Sequence, residues 1–213
     1  MHARADVGDD PGMDARDWDR RWEDHALHAH AHGEPSAVVV GALDGVESGA
    51  ALDLACGPGR NAVWLAERGW QVTAVDFSAE ALRQAREQAA ARGLAIDWVE
   101  SDLRAYEPPA DAFDLVLVAY LHVPPDDRRA ILAGAAAAVA PGGDLLVVGN
   151  DLANLGTGAP GPTDPTRLYT SDDIVSELPS LTIQRAEQVR RPVELENGDT
   201  VEAVDALVLA TRS

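Results

Sequence analysis

Apolar and polar positions along the chain follow two alternating periods. Ala50 to Ala55 and Gln71 to Val75 are short apolar runs that predict strands. Each gives way to helical spacing, first over Asn61 to Arg68 and then over Ala79 to Arg92, a stretch rich in strong helix formers and closed by Gly93. Ile96 to Val99, Phe113 to Ala119 and Asp144 to Val148 predict further strands, with a helix from about Asp126 to Val139 that Pro141 and Gly142 end. Strands spaced by helices require right-handed crossovers, so the expected fold is α/β and Rossmann-like, a mostly parallel sheet with helices on both faces. The last third changes rhythm. Leu181 to Leu195 and Thr200 to Thr211 are long β-prone runs separated by Glu196-Asn197-Gly198-Asp199, and Asn-Gly between apolar runs predicts an antiparallel β-hairpin at the C-terminus. A Gly/Pro-rich loop, Gly156 to Pro165, precedes it.

At the other end, residues 1–13 are polar and read as disordered. Trp18 and Trp22, four apart, share one face of a short helix. We therefore expect a helical, His-rich arm over 14–40, able to act as an active-site lid, and one catalytic domain over 41–213 after turn signals between Gly41 and Gly49.

Charge narrows the partners. The 213 residues carry 36 acidic groups against 17 basic ones, all Arg, for a formal net charge of −19. That field repels a phosphate backbone or an anionic bilayer, so nucleic acid and membranes are not expected partners, and small molecules, neutral or cationic by preference, are. A single Cys56 allows no internal disulfide, no stretch is long and apolar enough to span a bilayer, and the first residues lack the apolar centre of a secretory signal. A cytoplasmic location follows.

The densest chemistry lies in Ala51-Leu-Asp-Leu-Ala-Cys-Gly-Pro-Gly-Arg-Asn61, where an apolar strand meets a glycine turn and then a helix. Taken alone, Gly57-x-Gly59-x-x-Ala62 with Asp76 downstream also satisfies a nicotinamide-dinucleotide fingerprint, which would make the protein an oxidoreductase. Asp53 argues otherwise. A carboxylate at the strand's end opposes a pyrophosphate but suits the ammonium and sulfonium of S-adenosylmethionine. Asp76 can accept from two ribose hydroxyls, and Asp102, after the third strand, from an adenine amino group.

With these residues in view, the sequence resembles the class I S-adenosylmethionine-dependent methyltransferases from about Trp18 to its end. DLACGPGR is similar to that family's first motif, AVDFS to its acidic ribose-binding loop, SDL to its adenine loop and APGGDLLVV to the segment entering the fifth strand. The resemblance implies a seven-stranded sheet whose last strand inserts antiparallel, S-adenosylmethionine as cofactor, and contacts to it from Asp53, Ala55, Gly57, Gly59, Asn61, Asp76, Phe77, Asp102, Leu103 and Ala119. Within the superfamily, the turn Gly57 to Asn61 and the closing VRRPVELENG and ALVLATR segments are most similar to tellurite-resistance and thiopurine-type enzymes, which methylate soft sulfur, selenium or tellurium centres. The His-rich arm and the acidity depart from that subgroup.

A soft nucleophile needs little beyond in-line positioning. An alcohol or amine would need a base, for which Tyr120 and His122 stand just past the fourth strand, His122 equally as a residue that only lines the pocket. Asn150 and Asp151, after the fifth strand, and Arg191 are expected to meet the acceptor, whereas Arg190 and Arg191 are also compatible with a solvated position. His25, His28, His30 and His32 lack the converging spacing and the cysteine of a closed metal site, so no metal is expected and a flap is. Cys56 reads as packing. A protein that binds S-adenosylmethionine without catalysis is the remaining alternative.

Overall fold

The computed structural model describes residues 15–23, 34–195 and 197–213. Seven strands, β1 (Ala50–Leu54), β2 (Gln71–Asp76), β3 (Asp97–Glu100), β4 (Phe113–Ala119), β5 (Val139–Asn150), β6 (Thr182–Glu194) and β7 (Thr200–Thr211), join in one sheet of order β3-β2-β1-β4-β5-β7-β6. The first five pair in parallel; β7 inserts antiparallel between β5 and β6. The predicted α/β sheet and its terminal hairpin are therefore present. At the hairpin tip the Leu195 amide donates to the Asp199 carbonyl and the Gly198 amide to that of Leu195.

The described helices are α1 (Ala15–Glu23), α2 (Ala37–Ala42), α3 (Arg60–Glu67), α4 (Ala79–Ala91), α5 (Pro125–Ala138) and α6 (Ser171–Glu177). Residues alternate across each strand, so the sheet buries two apolar faces. On one, Leu52, Leu54, Val116, Val118, Leu145 and Val147 pack with Leu132 of α5 and Ile174 of α6. On the other, Ala51, Leu115, Leu117, Leu146 and Val148 meet Val39 of α2, Leu65 of α3 and Leu82 of α4. A buried ion pair fastens α5 to α6: Arg128 donates to both Glu177 oxygens at 3.0 and 2.8 Å and lies 5.1 Å over the Tyr169 ring.

Three expectations need correction. The helix predicted to run to Val139 ends at Ala138, and Pro141 and Gly142 stand inside β5 rather than in a turn. Gly143 permits this, because a Cβ there would lie 2.9 Å from the Asp114 carbonyl oxygen and 3.0 Å from that of Phe113. Residues 37–42, assigned to the arm and an adjoining turn, form α2 and bury Val38, Val39 and Ala42 in the domain. The helix α6 was not expected at all, although Thr170 and Asp173 close a reciprocal capping box at its start. The expected disorder of residues 1–13 and the histidines at 25, 28, 30 and 32 lie outside the described residues. Among the described residues, no helix is long and apolar enough to cross a membrane, and no cluster of potential metal ligands occurs.

Candidate functional site

The site forms where the parallel strands end. Ala51 and Asp53 share the face of β1 that looks toward α3, so Asp53 enters the interior just before the glycine turn. It is 1% exposed, and neither carboxylate oxygen has a hydrogen-bond partner among the described residues. Burial, and secondarily the charge of Asp76, pushes its pKa up to about 8; Arg60 and the Ala62 amide pull the other way. A dehydrated carboxyl group without a partner is costly to retain for packing alone, and a bound cation would satisfy it.

The turn itself is built from left-handed residues, Ala55 (φ 59°), Gly57 (φ 53°) and Gly59 (φ 85°). Gly59 starts α3, and a Cβ there would lie 2.8 Å from the Trp98 ring and 3.0 Å from Ala85. Asp76, at the end of β2, holds the turn: its Oδ2 accepts from the Gly57 amide at 2.8 Å and its Oδ1 from the Ser78 amide at 2.9 Å. Phe77 follows, half-buried. Asp102 sits differently. Its carboxylate is bound by the Arg104 side chain and amide, which hold its pKa below the ordinary range, while Leu103 packs toward the core.

The helix α1 lies across this end of the sheet. Asp19 accepts from the Ser78 hydroxyl at 2.5 Å and the Glu80 amide at 3.2 Å, and Gln84 donates to the Trp22 carbonyl at 2.8 Å. The Trp22 ring reaches within 3.6 Å of where a Gly57 Cβ would be, and the Trp18 and Trp22 ring centres are 6.0 Å apart.

On the other side of β1, the end of β4 carries Ala119, buried, and Tyr120, whose φ of 58° is a second left-handed position next to the turn. The Tyr120 hydroxyl donates to Asp205 of β7 at 2.7 Å and lies 3.3 Å from the Ser36 hydroxyl. Burial and then Asp205 raise its pKa above the ordinary phenol value. Arg191 of β6 pairs with Asp205 at 2.6 Å and stands 5.7 Å from the Tyr120 ring, while Arg60 stands 5.4 Å from the same ring. Arg190, one residue earlier on the strand, points the other way to Glu202 and is solvated. Asn61, expected among the cofactor contacts, accepts from the Ser36 amide at 3.1 Å and so ties the entrance of α2 to α3.

His122 does not have the geometry of a free base. Its Nδ1 faces the Arg167 carbonyl at 3.1 Å and its Nε2 faces the Asn150 amide at 3.4 Å, which fixes the Nδ1-protonated tautomer and occupies the Nε2 lone pair. The ring stacks on Tyr169, and burial lowers its pKa to about 4. Asn150 and Asp151 are buried next to it, each with one unpartnered oxygen, Oδ1 and Oδ2 respectively; the other Asp151 oxygen accepts from the Ala153 amide and from Gln188. Cys56 is buried, its thiol pKa raised by burial, in keeping with packing. Sequence reasoning missed Ser36, Arg60 and Asp205. For Asp205 a signal existed, a lone carboxylate within the apolar run of β7.

A family described as a methyltransferase domain matches residues 51–143, which contain the glycine turn, Asp76 and Asp102. The chain is 34% identical over 128 residues to the ribosomal RNA small subunit methyltransferase C of Alcanivorax borkumensis, across 55% of this chain and 38% of that protein. It is 39% identical over 99 residues to the demethylmenaquinone methyltransferase of Thermus thermophilus, 46% of this chain and 45% of the other. It spans less than half the length of these relatives. A protein solved in work on the conversion of a disulfide bond into a thioacetal group during echinomycin biosynthesis superposes with a TM-score of 0.68 at 26% identity, over 85% of this chain and 83% of that one.

Proposed function

We propose that this chain, which belongs to the class I S-adenosylmethionine-dependent methyltransferases, moves a methyl group onto a small acceptor at the carboxyl ends of β1, β4 and β5. The residues fit the cofactor. Asp53, dehydrated and unpartnered, is suited to its ammonium; Asp76 retains lone pairs for ribose hydroxyls; the Gly57 turn leaves room for close approach. Asp102 offers the adenine amino group an acceptor beside its Arg104 pair, and Asn61 contributes through the position of α3. When bound, S-adenosylmethionine supplies an electrophilic methyl group on a sulfonium. The protein's own part is to hold the acceptor in line and keep water out, the latter through α1 acting with the rest of the arm as a lid.

The acceptor reading is a soft nucleophile, a thiol or a selenium or tellurium centre, and the observation that carries it is His122. With one ring nitrogen donating to Arg167, the other accepting from Asn150, and a pKa near 4, the imidazole takes no proton from an acceptor at neutral pH. Tyr120 is a held, protonated phenol. A thiolate needs neither. The resemblance of the turn and hairpin to enzymes of soft centres supports this, as does the sulfur chemistry named for the solved relative.

Labelled-methyl transfer across thiols, selenite, tellurite, phenols and amines tests the reading. We expect incorporation into soft acceptors, and His122→Asn to lower kcat/KM by less than about tenfold, against the 10²- to 10⁴-fold that loss of a working base would cost. Exclusive transfer to amines or phenols would overturn it. A second reading is favoured by the unpartnered Asp151 oxygen: an acceptor N–H or O–H donating there. Loss of phenol or amine methylation in Asp151→Asn would identify that case.

A further inference from the structure

We propose that Arg60 and Arg191, gathered at the Tyr120 ring, form a recognition site for an anionic group on the acceptor, a carboxylate or an oxyanion. This rests on the functional reading above and adds the charge class of its substrate.

The two guanidiniums are not equivalent. Arg191 is matched by Asp205, which is 0% exposed and accepts at 2.6 and 3.3 Å. The Arg60 guanidinium makes no hydrogen bond or ion pair with any described residue; the Tyr120 ring lies 5.4 Å away, and the charges of Asp53 and Asp205 reach it without contact. Yet it is half-buried, and burial is the largest influence lowering its pKa, with the Arg191 charge adding to the effect. A guanidinium carries five donors in a rigid fork that fits two oxygens of one anion. Holding such a group half-buried, beside a second cation and without a hydrogen-bond acceptor, is unfavourable until a ligand supplies one. Asp53 does not serve, since neither of its oxygens has a hydrogen-bond partner.

Placement agrees. Arg60 follows the glycine turn of β1 and Tyr120 directly follows β4, and the strand order reverses between these neighbours, where open α/β sheets bind their ligands. The Tyr120 ring that both guanidiniums approach, at 5.4 and 5.7 Å, is fixed by its hydroxyl on Asp205, so the two cations share one rigid neighbour. The chain's net charge of −19 repels anions at long range, which makes a local cation pair the feature able to select one at short range.

The test compares 3-mercaptopropionate, its neutral amide and selenite, with dissociation constants read by ligand-observed NMR, both with the protein saturated by S-adenosylhomocysteine and without it. We expect the acid to bind at least tenfold tighter than the amide, the ratio to fall to about one in Arg60→Gln, and to recover in part in Arg60→Lys. Selenite binding that depends on Arg60, with acid and amide equal, assigns the site to oxyanions. Equal binding of acid and amide by the wild type with no selenite binding overturns the proposal without recourse to any variant, as does a preference that survives in Arg60→Gln. Failure of S-adenosylhomocysteine to bind is a separate result: it removes the cofactor reading, while the ratio measured without it still decides on the arginine pair.

Discussion

Asp76 Oδ2 accepts the Gly57 amide at 2.8 Å and thereby joins the end of β2 to the middle of the glycine turn. With Oδ1 on the Ser78 amide, the carboxylate frames the turn as well as standing where the proposed function has it meet the ribose. Asp76→Ala should therefore cost both stability and binding. Hydrogen bonds to a charged group contribute about 1.5 to 3 kcal/mol each, partly recovered by water, so we expect a loss of about 2 to 4 kcal/mol in urea unfolding. S-adenosylhomocysteine affinity should fall at least tenfold by calorimetry. A variant of unchanged stability would show that the turn stands without Asp76.

The steric role of Gly59 separates it from another left-handed glycine. Its φ is 85°, and an added Cβ meets Trp98 at 2.8 Å; Gly142, at φ 83°, has open space around it. Gly59→Ala should cost about 2 to 4 kcal/mol, a left-handed residue plus overpacking, and Gly142→Ala only about 1 to 2 kcal/mol. Thermal melts of the two variants provide the comparison, and equal shifts would mean that Trp98 yields freely.

Much of the fold was legible because its signals are local. Thr200–Thr211 and Phe113–Ala119 are strands with the predicted bounds, and Asn197-Gly198 turns the hairpin. The helix α2 was not, since Ala37–Ala42 is too short for a helical period to emerge and its three valines suggest a strand. Pro141 ends the helix and still belongs to β5, because it stands in the exposed stretch between the Val139 and Asp144 pairings with β4, where the register shifts and no partner needs its missing N–H. The same distinction governs the site. Asp53 and Asp76 belong to contiguous motifs that sequence exposes. Arg191 and Asp205 come from two strands and Tyr120 from the residue after a third, 85 residues from Asp205, and only the β5-β7-β6 register brings them together.

Burial of Asp53 makes stability depend on pH with a definite sign. Its pKa rises from 3.8 to about 8, so across that window the folded state binds a proton the unfolded state lacks. The contribution is fully present below about pH 4 and is lost as pH rises through 8, at up to about 1.4 kcal/mol per pH unit, with no further loss above. Urea unfolding between pH 5 and 9 should show this decline in the wild type and a flatter profile in Asp53→Asn, the two curves diverging upward to pH 8. Parallel profiles would mean that Asp53 ionises freely in the folded protein.

The arm offers the sharpest separation of structure from catalysis. The helix α1 is held at the rim of the site by Asp19 on Ser78 and Glu80 and by the Trp22 carbonyl on Gln84, contacts to α4 rather than to the sheet. Ser78 caps α4 on its own through the Ala81 amide, so that helix does not need Asp19 to begin. Trp22 covers Gly57, where a bound cofactor would approach the backbone. A lid excludes water and fixes the reacting geometry while adding little to the core. Deleting residues 1 to 33 should therefore reduce methyl transfer at least about a hundredfold, the scale of effects on reacting geometry, while lowering the melting temperature by only a few degrees. Trp22→Ala in the full chain should show a smaller loss in the same direction. A truncated protein that keeps full transfer activity would remove the lid, and one that no longer folds would make the tryptophan pair a structural staple instead.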